Sequence, residues 1–185
     1  LYSSAASDVY KRQLAARLAG VETDLIRTTI ADFRGVEHRL EFVTEINRVR
    51  YFNDSKATNV DSAARGLESF ESPVIAIMGG LDKAGDFESL RPIVKNRVKS
   101  VIVIGSAAGK IAEALSGCVP VKPAGGLREA VVEASRTASP GEVVLLCPAC
   151  ASFDMFRDYE HRGRTFKEIV LALSEASQEG RNVTA

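Results

Sequence analysis

The feature that most constrains this chain is an alternation, from residue 74 onward, between short wholly apolar runs and longer amphipathic stretches. Val74-Ile75-Ala76-Ile77-Met78 ends in Gly79-Gly80, Val101-Ile102-Val103-Ile104 ends in Gly105, and Val143-Val144-Leu145-Leu146 ends in Cys147-Pro148. Runs without polar interruption predict strands buried on both faces, the condition of a mainly parallel sheet covered by helices on each side. Val119 and Val121 mark a shorter strand. Helices are predicted at 60–69, 87–96, 107–115, 127–138 and 153–174, the fourth stopped by Pro140-Gly141. Upstream, residues 40–43 and 49–52 predict two strands joined by a turn at Asn47. Residues 14–33 read as helical, with a break at Gly20 and a cap at Thr23. The expected fold is α/β: a three-layer sandwich whose mainly parallel sheet has about six strands. Such sheets bind ligands beyond the carboxyl ends of their strands.

Composition narrows the partners. The 185 residues carry 24 Lys+Arg against 24 Asp+Glu, and that balance argues against a sequence-independent grip on nucleic acid or anionic lipid. No apolar run approaches the ~20 residues of a spanning helix. Three cysteines, two of them three residues apart, suit a reducing cytoplasm better than a disulfide framework. The Asn182-Val183-Thr184 sequon would meet no glycosylation machinery there. The chain begins with Leu1, and a piece of a longer protein is the expectation.

Four clusters stand at strand ends or turns: His38-Arg39, residues 53–58 (NDSKAT), residues 79–83 (GGLDK) and residues 147–154 (CPACASFD). Singly, each has a bland reading. His38-Arg39 could be solvated, Asp54-Ser55 could cap a helix, and Lys56 and Lys83 could point to water. The glycines are no phosphate loop, because no G-x-x-x-x-G-K-[ST] occurs. Cys147-x-x-Cys150 has the spacing of a redox pair at a helix start, where a thiol is acidified. A Cys–His nucleophile is poorer, with only His38 and His161 available, and zinc lacks a second pair of ligands. Together the clusters mean more. Arg39, Lys56 and Lys83, with the hydroxyls of Thr58 and Ser152, suit a small dicarboxylate and part of a nucleotide polyphosphate.

The same strings resemble the Mur ligase family, in particular the C-terminal part of its D-glutamate-adding branch. The likeness is carried by residues 33–41 (FRGVEHRLE), 53–60 (NDSKATNV), 79–83 and 148–154 (PACASFD), in order, over about residues 14–174. No Asp-Asn-Pro-Arg, the mark of the diaminopimelate-adding sibling, is present. The resemblance implies a Rossmann-like domain over 36–174, a helical remnant of a central ATPase domain over 14–35, and a polar tail over 175–185. Residues 1–13 stand where the family carries an HNxxN-type stretch, and they are expected to be foreign or disordered.

It implies ATP and Mg2+ as cofactors, with the magnesium ligands mostly in the absent central domain. UDP-N-acetylmuramoyl-L-alanine and D-glutamate are the implied substrates, joined through an acyl phosphate by a monomer. Asp54 would accept from the ribose, with Arg39 and Lys56 near the nucleotide; His38 would stand beside them or at the domain hinge. Thr58 and Lys83 would hold one carboxylate of D-glutamate, and Ser152 with Phe153 and Tyr159 the other. The family has Ser where this chain has Cys147. A different Mur or folylpolyglutamate ligase, or a stand-alone anion-binding or redox module using Cys147 and Cys150, are the alternatives.

Overall fold

A computed structural model describes residues 4–33 and 35–182. Arg34, Val183 and Thr184, which carry parts of the motifs above, lie outside the described residues, as do residues 1–3. The chain divides into two compact units, residues 1–35 and 36–185. In the first, helices α1 (Ser4–Leu18) and α2 (Thr23–Asp32) flank Gly20, whose φ of 81° breaks the helical path there. Residues 4–13 thus lie within a helix.

The second unit is built on six strands in the order β1-β2-β6-β3-β4-β5. They are β1 (Glu41–Ile46), β2 (Val49–Asn53), β3 (Val74–Gly79), β4 (Val98–Ile104), β5 (Val121–Pro123) and β6 (Val143–Leu146). Only β1 runs antiparallel, paired to β2 through a turn in which Asn47 and Arg48 both take positive φ. All other pairs are parallel. Helices α3 (Val60–Glu68), α4 (Arg91–Arg97), α5 (Ala108–Ala114), α6 (Leu127–Thr137) and α7 (Tyr159–Asn182) complete the layers.

Alternation of side chains divides the core in two. Val74, Ala76, Met78, Val101, Val103, Val143 and Leu145 face one cluster, closed by Ala63 and Leu67 of α3, Val94 of α4 and Ile111 of α5. Ile75, Ile77, Ile102, Ile104, Val144 and Leu146 face the other, closed by α6 and by Phe166, Ile169 and Val170 of α7. Every one of these strand residues is at most 1 % exposed, which is why the sequence shows continuous apolar runs.

This layering positions the site. Chain leaving β2 and β3 turns to the first face, whereas chain leaving β6 turns to the second with α7. Strand β6 lies between β2 and β3, so the connections diverge on both of its sides. Such switch points open a crevice at the carboxyl ends of the strands.

Two expected helix limits are corrected. The 87–96 helix is a 3-10 turn (Phe87–Leu90) followed by α4, with Pro92 in its first turn. The last helix starts at Tyr159, not Phe153, and continues to Asn182, past the expected end at 174. Residues 152–156 close local turns, with the amides of Met155 and Phe156 both bonded to the Ser152 carbonyl. Asp158 then caps the helix by accepting the His161 amide at 2.6 Å.

Candidate active site at the carboxyl edge of the sheet

The loop after β2 is buried although it is polar: Asn53 and Ser55 are fully buried, and Asp54 is 7 % exposed. Asn53 explains why this is tolerated. Its Oδ1 accepts the Ser55 amide at 3.1 Å, which turns its Nδ2 toward His38 Nδ1 at 2.9 Å and Glu41 Oε2 at 3.0 Å. Asp54 accepts the Leu40 amide at 3.2 Å, and the Lys56 amide donates to the His38 carbonyl at 3.0 Å. The segment 38–40 is thereby stitched to the loop 53–56. Burial pushes the Asp54 carboxyl up to about 6, with the Leu40 amide and the nearby Arg39 charge acting against it. The helix cap anticipated at Asp54-Ser55 is instead supplied by Asn59, whose side chain accepts the Ser62 amide.

Tyr159 sits against this group. Its hydroxyl lies 2.7 Å from Lys56 Nζ, which also stands 4.0 Å from the ring centroid. Its carbonyl accepts from Ser55 Oγ at 2.7 Å. The resemblance separates Lys56 and Tyr159 into different halves of the site; the fold joins them.

The loop after β3 carries Lys83 and that after β6 carries Ser152 and Phe153. Leu81 and Ala151 exchange both backbone hydrogen bonds, at 2.9 and 3.1 Å, and so align the two loops. Close approach requires Gly79-Gly80: a Cβ on Gly80 would fall 2.2 Å from the Ala151 carbonyl oxygen. Lys83 Nζ stands 5.9 Å from the Phe153 ring, which is 63 % exposed, while Ser152 is buried. Thr58 belongs to the adjoining loop, where Val60 comes within 3.1 Å of a Cβ built on Gly85. Asp82 orders the lysine loop, accepting the Gly85 amide at 2.8 Å and pairing with Lys110 at 2.8 Å.

His38 and Ser152 are the least accessible of the expected residues, each at 2 % exposure. His38 has a left-handed φ of 65°, and its ring packs so closely on α7 that a Cβ at Gly163 would lie 2.2 Å from Nδ1. Burial lowers its pKa, opposed by Glu37 and Glu41. Glu37, His38 and Glu41 bring ligand atoms within 4.8 Å of one another. They do not fit magnesium. Lys167 already bridges the two carboxylates at 2.6 and 2.9 Å, and the Asn53 amide lies against His38 Nδ1 at 2.9 Å.

The structure does not favour the redox alternative for the cysteine pair. Cys147 and Cys150 are both buried in the first core cluster. Desolvation pushes the Cys147 thiol well up and the Cys150 thiol up to about 12, the reverse of what a redox pair needs. No helix starts beside them, since α7 begins nine residues after Cys150.

One residue was missed. Arg162 in the first turns of α7 is fully buried and spends all its donors on the site loops. Nε reaches Ser55 Oγ at 3.0 Å and Nη2 the Ser55 carbonyl at 2.9 Å, while Nη1 and Nη2 each reach the Cys150 carbonyl at 3.2 Å. In sequence it is one basic residue among His161, Arg162 and Arg164 of an amphipathic helix, with nothing local to mark it.

These observations define a doubly wound α/β domain whose candidate site is assembled from loops on either side of a central strand. The sequence profile described as "Mur ligase, glutamate ligase domain" matches residues 38–150, and the chain belongs to that family. It is 56 % identical over 158 residues to the UDP-N-acetylmuramoylalanine--D-glutamate ligase of Acidobacterium capsulatum, covering 85 % of this chain and 34 % of that protein. The chain therefore spans about a third of the length of the curated relatives it matches. Among solved structures, Escherichia coli FolC in complex with ADP aligns with TM-score 0.62 at 20 % identity, over 87 % of this chain and 38 % of that one. The MurF ligase of Thermotoga maritima, also with ADP, aligns with TM-score 0.59 at 18 % identity, over 91 % and 37 %. These two bear on the fold alone.

Proposed function

We propose that the chain is the D-glutamate-binding part of an ATP-dependent ligase that adds D-glutamate to UDP-N-acetylmuramoyl-L-alanine in peptidoglycan synthesis. The observation that carries the reading is the convergence of the loops after β2, β3 and β6. They hold residues 53–58, 79–83 and 148–154, strings that carry the resemblance to the D-glutamate-adding branch. The 56 % identical relative bears the name of that activity.

In this reading the substrate carboxylate attacks the γ-phosphorus of ATP and ADP leaves. The amine of D-glutamate then attacks the acyl phosphate, the amide bond forms, and phosphate departs. The chain's own contribution is positioning and charge complementarity. Arg39, Asp54 and Lys56 face the nucleotide, with Asp54 accepting from the ribose and His38 bracing the loop that carries them. Thr58 and Lys83 hold one carboxylate of D-glutamate; Ser152, the backbone at Phe153, and Tyr159 hold the other. ATP phosphorylation and magnesium are assigned to the part of the relatives that this chain does not span. The helices α1 and α2, which leave Leu14, Leu18 and Leu25 more than half exposed, are read as the end of that part. The working compartment is the cytoplasm; among the described residues, no helix is long and apolar enough to cross a membrane.

The test is competition in the full-length ligase. With ATP and UDP-N-acetylmuramoyl-L-alanine supplied, D-glutamate should be incorporated in preference to L-glutamate and diaminopimelate. Preference for L-glutamate would move the assignment to a folylpolyglutamate-type ligase, and preference for diaminopimelate to a sibling Mur ligase.

A further inference from the structure

Arg162 is fully buried, yet none of its hydrogen bonds goes to a carboxylate. A buried guanidinium with no carboxylate hydrogen-bonded to it is costly, even with the Asp154 charge nearby, so its retention asks for a reason. Its five N–H groups meet five contacts. Nε donates to Ser55 Oγ, Nη2 to the carbonyls of Ser55 (2.9 Å) and Cys150 (3.2 Å), and Nη1 to those of Cys150 (3.2 Å) and Ala151 (3.4 Å). Ser55 follows β2 and lies beside Asp54 and Lys56; Cys150 and Ala151 follow β6 and lead into Ser152 and Phe153. The third loop is held too, because Ala151 is bonded on both its amide and its carbonyl to Leu81. Gly80 packs over the same point, where a Cβ would stand 3.2 Å from Arg162 Nη1.

We propose that Arg162 is a positioning residue that fixes the separation of the loops after β2 and β6, so that the nucleotide and amino-acid halves of the site stay in register. The planar fork is what the geometry requires. One rigid group spans two strands' loops across the switch point, which the three donors of a compact ammonium cannot do. The charge is offset by carbonyl dipoles and by the nearby Asp154 carboxylate. The inference rests on the proposed function for the identity of the two halves, but the bracing itself can be tested without it.

The experiment compares Arg162→Met, Arg162→Lys and Ser55→Ala with Phe166→Leu, a buried substitution in α7 away from the loops. In the full-length ligase, Arg162→Met should raise KM for ATP and for D-glutamate together, each by about tenfold or more. Arg162→Lys, which keeps the charge, should not rescue either. Ser55→Ala, the smaller change for use where Arg162→Met does not fold, should raise both in smaller measure. Phe166→Leu should lower the Tm while leaving both KM values within about twofold. In parallel, amide hydrogen exchange of the chain itself should quicken at residues 55–56 and 150–153 together in the Arg162 variants, with β3 and β4 unchanged. Unaltered KM values in folded variants, a rise in only one of them, or exchange that quickens in one loop alone would overturn the proposal. If the wild-type ligase ignores D-glutamate, the functional reading fails, and the exchange arm still judges the brace.

Discussion

The two halves of the candidate site are built on different principles. On the nucleotide side, Asn53, Asp54, Ser55 and His38 are all less than 10 % exposed; Asn53 bonds Ser55, His38, Glu41 and α7, Ser55 bonds α7, and Asp54 accepts the Leu40 amide. On the amino-acid side, Lys83 and Phe153 are exposed, and the contact between them is a ring face at 5.9 Å. Buried polar networks are rigid when satisfied, whereas exposed long side chains keep their rotamer freedom until something holds them. The loop after β2 is thus organised before a ligand arrives, with Arg39 exposed beside it; on the other side Ser152 is buried, and the side chains of Lys83 and Phe153 are left for the ligand to order.

The largest effect should come where the halves meet. Gly80 has φ 131°, and an added Cβ would strike the Ala151 carbonyl oxygen. Gly80→Ala is expected to cost about 3 kcal/mol or more, because both the backbone strain and the displacement of a buried strand-end loop must be met. Denaturant unfolding reads this directly. A variant as stable as the wild type would mean that the loops are less tightly joined than the Leu81–Ala151 exchange implies.

Next is Asp54. Its carboxyl titrates near 3.8 in an unfolded chain and is raised to about 6 in the fold. The fold therefore favours the protonated form, and the group's contribution to stability is greatest below about pH 4. It is lost as pH rises through about 6, with a full amplitude of about 3 kcal/mol. Asp54→Asn should remove that dependence and be the more stable protein above pH 6, while weakening nucleotide binding. Urea titrations at intervals from pH 4 to 7 give the comparison. A stability difference that stays constant across that range would sink the argument that burial governs this carboxyl.

Much of this architecture was legible in the chain. The runs at 74–78, 101–104 and 143–146 could not be half-buried strands, and their glycine and Cys-Pro ends marked where the site loops begin. The clusters at 53–58, 79–83 and 147–154 were visible for the same reason. What stayed hidden was tertiary. Whether a thiol at a strand end is acidified depends on which element follows it, and eight residues of turn separate Cys150 from α7. Arg162 looks like its solvated neighbours, since its burial is decided by loops more than 100 residues away at Ser55. His38 likewise reads as half of a surface pair until Gly163 is seen to admit its ring.

The smallest structural effect, and the one that divides the halves most sharply, is expected at Lys83. The side chain is exposed, and its one described contact is the Phe153 ring, so Lys83→Ala should change stability by no more than about 0.5 kcal/mol. Its functional effect should be one-sided. Losing the cation removes a charge-assisted hold on a D-glutamate carboxylate, so KM for D-glutamate should rise by about tenfold or more, with KM for ATP unmoved. This contrasts with Arg162, where both constants are expected to move because the brace serves both loops. A Lys83 variant that loses ATP binding as well would show that the amino-acid half is not independently ordered. An unchanged KM for D-glutamate would remove Lys83 from the site and leave the buried nucleotide half as the only part that this chain organises by itself.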